Sequence, residues 1–140
     1  MLKVKVITMG KCKEAWLQEA LAEYEKRLSK RALISWVEAE SEAQLAKLLE
    51  SEPYIALDPK GELLDSLSLS SKLMRLFVEK GSRITFGIGG PDGIPPSLLE
   101  KAIWRWSLSP LTFTHQTTRL LLVEQLYRAF EIDRGSPYHK

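Results

Sequence analysis

The chain has 140 residues, 27% charged and 44% hydrophobic, a balance that fits one compact α/β-sized domain, residues 1–140, and excludes a multidomain assembly. Twenty Lys and Arg against eighteen Asp and Glu leave +2, so any contact with a polyanion has to be local rather than a matter of bulk charge. A single cysteine, Cys12, excludes an intrachain disulfide, no apolar run reaches the roughly 18 residues that span a bilayer, and the alternating start MLKVKV is unlike a signal peptide, so a cytoplasmic protein with no membrane partner is expected.

Leu2 to Met9 alternates like a half-buried strand, and Lys13 to Arg31 then spaces Trp16, Leu17, Ala20, Leu21, Tyr24 and Leu28 along one helical face. Ala32 to Val37 favours a strand, and Ser41 can N-cap a helix carrying Leu45, Leu48 and Leu49 that Pro53 closes. Tyr54 to Leu57 predicts a buried strand ending in an Asp58-Pro59-Lys60-Gly61 turn, followed by a helix capped by Ser68 or Ser70 and running through Leu73, Leu76, Phe77 and Val78. Gly81 stops that helix, Arg83 to Ile88 forms the next strand, and Gly89-Gly90-Pro91-Asp92-Gly93 leaves it as a loop. Pro95 and Pro96 open a helix expected to continue from Leu98 to Trp104, and Trp106 to Leu108 gives a last short strand. A long helix from about Thr114 to Ile132 then turns Leu120, Leu121, Val123, Leu126, Tyr127 and Phe130 to the core and ends near Gly135.

Strand and helix alternate with short joints, which predicts an α/β fold with a mainly parallel sheet and helices on both faces. In such sheets ligands sit beyond the carboxyl ends of the strands, which selects the loops 57–61, 89–94 and 107–114. The glycine loop is not a dinucleotide fingerprint, because Asp92 stands where the third glycine belongs, and no GKS or GKT follows it to make a phosphate loop. Two readings stay open for it: glycines that let a ligand lie against bare backbone, or a tight turn with positive φ at two positions. Ser107 to Thr114 likewise reads either as exposed backbone facing a ligand or as helix capping by Thr112 or Thr114.

The polar groups of the last helix and tail are His115, Arg119, Glu124, Arg128, Tyr138, His139 and Lys140. Glu124 and Arg128 are spaced for an ordinary intrahelical ion pair, whereas an ordered Tyr-His-Lys tail would make a substrate lid able to stack on a base or move a proton. The histidines lack metal-ligand spacing, so no metal is expected. Cys12, between two lysines that can lower its pKa, has no supporting nucleophile pattern. Trp16, Trp36, Trp104 and Trp106 are expected in the core or at a subunit interface, with the interface preferred for Trp104 and Trp106.

Taken in order, Phe86-Gly87-Ile88-Gly89-Gly90-Pro91-Asp92-Gly93, Ser107-Leu108-Ser109-Pro110-Leu111-Thr112-Phe113, His115-Gln116, Arg119, Glu124-Gln125-Leu126-Tyr127-Arg128-Ala129 and Pro137-Tyr138-His139 resemble the ribosomal RNA large-subunit methyltransferase H family of the SPOUT class. The resemblance covers essentially the full chain; Thr114 stands where many members have proline. It implies a deep trefoil knot at the carboxyl end, a homodimer, and S-adenosylmethionine-dependent methylation of N3 of a pseudouridine in 23S rRNA within the 70S ribosome. By the same resemblance Leu57, Gly89, Gly90, Leu108, Ser109, Pro110, Leu111, Thr112 and Phe113 would contact the cofactor. Arg128, Tyr138 and His139 would face the RNA or the transferring methyl, with His115 and Arg119 as weaker candidates. A transfer-RNA methyltransferase of the same class and a non-catalytic ribosome-binding factor are the competing functions.

Overall fold

Strand and helix alternate along the whole chain in the computed structural model, which describes residues 1–140: β1 (Leu2–Met9), α1 (Ala15–Leu28), β2 (Ala32–Ala39), α2 (Glu42–Glu50), β3 (Ile55–Leu63), α3 (Ser66–Glu79), β4 (Arg83–Gly87), α4 (Pro96–Leu99), β5 (Trp104–Ser107) and α5 (His115–Asp133). The five strands form one sheet in the order β2-β1-β4-β3-β5, and every neighbouring pair is parallel. The expected α/β architecture is therefore present.

β1 shows why both faces must be covered, since Val4 and Val6 point into one core and Ile7 into the other. The larger core sets Leu69, Leu73 and Phe77 of α3 and Leu122, Leu126 and Phe130 of α5 against the sheet, with Leu17 and Leu21 of α1 packing on Val123 beside it. The opposite face is closed by Leu45 and Leu49 of α2 and Leu98 of α4. Apolar burial of this kind contributes roughly 25 cal/mol per Å² removed from water.

Several local expectations are corrected. β3 does not end in a turn at Asp58; it runs on to Leu63, with a register shift against β5 between Leu57 and Glu62 that the Asp-Pro-Lys-Gly segment accommodates as a bulge. Gly61 is required there, because a Cβ would lie 2.7 Å from the Arg105 carbonyl carbon. The cap of α3 is Asp65, whose carboxylate accepts from Ser68 N–H, and Ser68 and Ser70 lie inside the helix. The helix after Pro95 is only one turn, so Trp104 belongs to β5 rather than to a helix end. On α5 Leu122 is fully buried together with the predicted Leu126, while Leu120 and Leu121 are half-buried.

The tryptophans divide differently from expectation. Trp104 and Trp106 are buried within the chain and stack with ring centroids 5.6 Å apart, so they fill core and are not offered to a partner. Trp16, predicted on the buried face of α1, is 57% exposed.

Candidate active site

In the strand order, β3 lies between β4 and β5, so the bulge within β3 and the loops leaving the carboxyl ends of β4 and β5 lie side by side. Together they line one cleft that is open to solvent. Of the predicted residues, Leu57, Gly89, Gly90, Leu108, Ser109, Leu111, Thr112 and Phe113 line it, and Pro110 does not. Asp58 and Pro59, inside the selected loop 57–61 though not named as contacts, also line it, and Thr118 escaped the sequence reading, as did the placement of His115 in its wall. Thr118 was detectable in principle, one helical turn after Thr114 on α5.

The glycine loop resolves in favour of the turn, but not as expected. Only Gly93 has positive φ, at 75°. Gly89 is required because a Cβ there would stand 2.4 Å from the Gly93 carbonyl carbon, whereas a Cβ at Gly90 would meet only the flexible end of the exposed Glu42 side chain, at 2.7 Å. Neither glycine makes room for a ligand by lacking a side chain. The turn closes on a Gly90–Gly93 bridge but leaves the N–H of buried Gly89 without a hydrogen-bond partner, an arrangement rare in folded chains.

The opposite wall has the same property over a longer stretch. No backbone group of residues 109–113 bonds to another backbone group; the Leu111 N–H donates to Ser109 Oγ at 3.1 Å, and the remainder face the cleft or solvent. Thr114, not Thr112, caps α5, accepting from Thr117 N–H at 3.1 Å. Thr112 is thereby left to the cleft.

The tail is ordered against α5. Tyr138 donates its hydroxyl to Glu124 Oε2 at 3.0 Å, its ring meets Tyr127 edge-on at 4.8 Å, and the Arg128 guanidinium lies over that ring at 4.9 Å. Glu124 and Arg128 do form the predicted ion pair, at 3.3 Å. Burial, then the neighbouring Tyr24 and Glu124, push the Tyr138 hydroxyl well above its ordinary pKa, so it is held as a donor. Arg128 Nη1 stands 3.0 Å from His139 Nδ1. Guanidinium has no acceptor, so Nδ1 accepts and Nε2 carries the ring hydrogen.

His139, Tyr138 and Arg128 are thus brought together, but not on the first cleft. His139 lines a second pocket with Asp65, Ser66 and Gln125, and the two pockets share Leu108 and Phe113 as a common wall. The Asp65 carboxyl is lowered by its bonds from Ser68 and, further down, by the nearby His139. His115 stands in the first cleft, whereas Arg119 is 1% exposed and tied to Glu38 and to the Met9 and Gly10 carbonyls, which corrects its placement as a residue facing substrate. Cys12 is also corrected: burial pushes its thiol up, and this outweighs the lowering by Arg119. No group of three or more His, Cys, Asp and Glu side chains is arranged to hold a metal ion.

A family profile described as "Predicted SPOUT methyltransferase" matches residues 2–139. The "Ribosomal RNA large subunit methyltransferase H" of Protochlamydia amoebophila is 45% identical over 141 residues, covering 100% of each chain. The protein of the same name from Acetivibrio thermocellus is 37% identical over 159 residues, covering 99% of this chain and 100% of its own. A probable methylase family protein from Haemophilus influenzae Rd KW20 superposes with a TM-score of 0.57 over 98% of this chain and 70% of that one, at 11% identity, which is a likeness of fold.

Proposed function

The chain belongs to the SPOUT methyltransferase family, and from that premise we propose that it methylates N3 of a pseudouridine in 23S rRNA of the assembled 70S ribosome, using S-adenosylmethionine. The observation that carries the reading is the pair of pockets that share Leu108 and Phe113, one walled by unpaired backbone and the other holding His139. The relatives' names supply the ribosomal RNA target.

The first cleft fits the cofactor. The unpaired N–H of Gly89 and the free backbone of 109–113 can satisfy the polar edges of a nucleoside and an amino acid, while Leu57, Leu108 and Phe113 offer apolar walls. When bound, S-adenosylmethionine supplies a methyl group already activated on a sulfonium, so the chain's task is alignment and charge management. Leu57, Gly89, Gly90, Leu108, Ser109, Leu111, Thr112 and Phe113 would hold it, with Pro110 setting the loop's course.

The target N3 must lose its proton as it gains the methyl. Neither Tyr138, held protonated against Glu124, nor His139 Nε2, which carries the ring hydrogen, is set to accept that proton in this arrangement. The cluster instead presents donors: His139 Nε2–H and the Arg128 guanidinium would stabilise the negative charge that develops on the imide, and the proton leaves to solvent. His139, Tyr138 and Arg128 are the proposed catalytic group.

The reading includes a homodimer and the carboxyl-terminal trefoil knot of the family. In support of a second copy, Leu63, Leu67 and Leu111 are 59%, 57% and 68% exposed, and the latter two border the pockets. The test is transfer of labelled methyl to 70S ribosomes lacking the modification, with mass-spectrometric mapping and with free 23S rRNA and tRNA in parallel. Label on a pseudouridine of the 70S 23S rRNA is expected. Label only on tRNA or on naked RNA would overturn the substrate, and no cofactor binding by calorimetry would overturn the reaction.

A further inference from the structure

Away from both pockets, at the carboxyl end of β1, three buried side-chain atoms have no hydrogen-bond partner: Thr8 Oγ1, Gln116 Oε1 and Arg119 Nε. Thr8 is 0% exposed and Arg119 1%. Burying a polar group unpaired is strongly unfavourable, and three at one place call for a common explanation.

The bonds of Gln116 and Arg119 tie both to the chain that directly follows Thr8. Thr8 lies two residues after Val6 on β1 and so faces the same side, toward α5. Gln116 and Arg119 are three apart on α5 and share a face of that helix. Arg119 Nη2 donates to the Met9 and Gly10 carbonyls at 3.1 and 2.6 Å, and Gln116 Nε2 to the Lys11 carbonyl at 3.0 Å. Both side chains therefore end on the four-residue stretch that begins at Thr8. The Arg119 Nε–H lies on the guanidinium edge it shares with Nη2, so it points the same way.

The three atoms are also chemically complementary to one small guest: an N–H donor, a carbonyl acceptor and a hydroxyl that can be either. We propose that Thr8, Gln116 and Arg119 hold one buried water, which accepts from Arg119 Nε–H, donates to Gln116 Oε1 and exchanges its remaining bond with Thr8. Buried waters typically make about three such bonds. The water completes a latch between the loop after β1 and the first turn of α5, the turn from which His115 and Thr118 reach the cleft wall.

The test uses the full chain without any ligand. A crystal structure at about 1.8 Å or better should show a single peak of density roughly 2.6 to 3.3 Å from all three atoms. Urea unfolding of Thr8→Val then reads the energetics through its sign. With the water present, the variant strands a bond of the water and lowers the folding constant about 5- to 100-fold, while Thr8→Ser stays close to wild type. If the site is dry, Thr8→Val removes an orphaned hydroxyl at constant shape and the folding constant is unchanged or rises. Absence of density, or Thr8→Val as stable as wild type, overturns the proposal.

Discussion

The Tyr138 hydroxyl and the Glu124 carboxylate, 3.0 Å apart, close the carboxyl-terminal tail onto the middle of α5. Without that bond the tail has the Ser136 N–H to Glu131 carbonyl bond, the Tyr127 edge contact and the Arg128 pairing to hold it. Tyr138→Phe keeps the ring contacts and removes one charge-assisted bond. Its expected effect is a loss of about 1 to 2 kcal/mol in the local stability of the tail. Amide exchange of residues 136–140 should speed up by about 5- to 30-fold, with α5 unaffected. Single-turnover methyl transfer should fall at least about 10-fold, with cofactor affinity unchanged, because the donor array loses its fixed geometry. Tail exchange at the wild-type rate would show that the bond does not hold it.

The same hydroxyl gives stability a pH dependence of known sign. Burial first, then Tyr24 and Glu124, raise its pKa from the ordinary 10.0, so above pH 10 the unfolded chain releases a proton that the folded chain keeps. The folded state then binds more protons than the unfolded one, and stability falls as pH rises. The contribution is fully present below pH 10 and is lost progressively above it. Denaturant midpoints measured from pH 8 to 11 should fall more steeply for wild type than for Tyr138→Phe, and the two slopes should part only near pH 10. Parallel curves throughout would remove Tyr138 from the account.

Two glycines four residues apart separate the geometric demands of the cleft. A Cβ at Gly89 would sit 2.4 Å from one backbone atom and 2.6 Å from another, so Gly89→Ala must open the turn. At Gly93 a Cβ meets nothing within 4 Å, and only the φ of 75° penalises it. Gly93→Ala is expected to destabilise by about 1 to 2 kcal/mol and to leave cofactor affinity within a few-fold. Gly89→Ala should weaken cofactor binding by more than about 10-fold, since it displaces the unpaired N–H at 89 and the turn that carries it. Calorimetry on the two variants checks the ranking; equal affinities would mean that the turn does not shape the site.

The strands and the three loops of the cleft were readable because periodicity and glycine or proline punctuation are local properties, and the strand-end rule converts them into a place. What escaped depends on contacts distant in sequence. Asp58-Pro59-Lys60-Gly61 has the composition of a turn, yet it only bulges out of β3, because Leu57 before it and Glu62 after it both pair with Trp106 of β5. Ser70 looks like a cap until its hydroxyl is seen donating to the Ala129 carbonyl, 59 residues away. The grouping of Arg128, Tyr138 and His139 came from the family resemblance. That His139 borders a second pocket, with Tyr138 donating to Glu124 and His139 Nδ1 accepting from Arg128, is a tertiary fact that no spacing encodes.

Arg119 is the clearest case of a residue whose chemistry suggests one role and whose surroundings assign another. Its guanidinium donates to Glu38 Oε2 at 2.8 Å and to two carbonyls of the loop after β1, and it lies 5.9 Å from the Trp36 ring centroid. The same Glu38 oxygen accepts from Cys12 N–H at 2.9 Å, so one buried cation organises the whole loop. Arg119→Ala leaves two carbonyls without their side-chain donor and the Glu38 carboxylate without its cation, and opens a cavity. Breaking a buried pair in this way typically costs about 3 to 5 kcal/mol. Part of the Glu38 side chain reaches solvent, which places this site at the lower end of that range. Arg119→Lys can satisfy only part of the fork and should lose roughly half as much. Because the role is structural, the fraction of Arg119→Lys that remains folded should methylate with a near wild-type rate per folded molecule. A fully folded Arg119→Lys whose methyl transfer had dropped by orders of magnitude would return Arg119 to the substrate site.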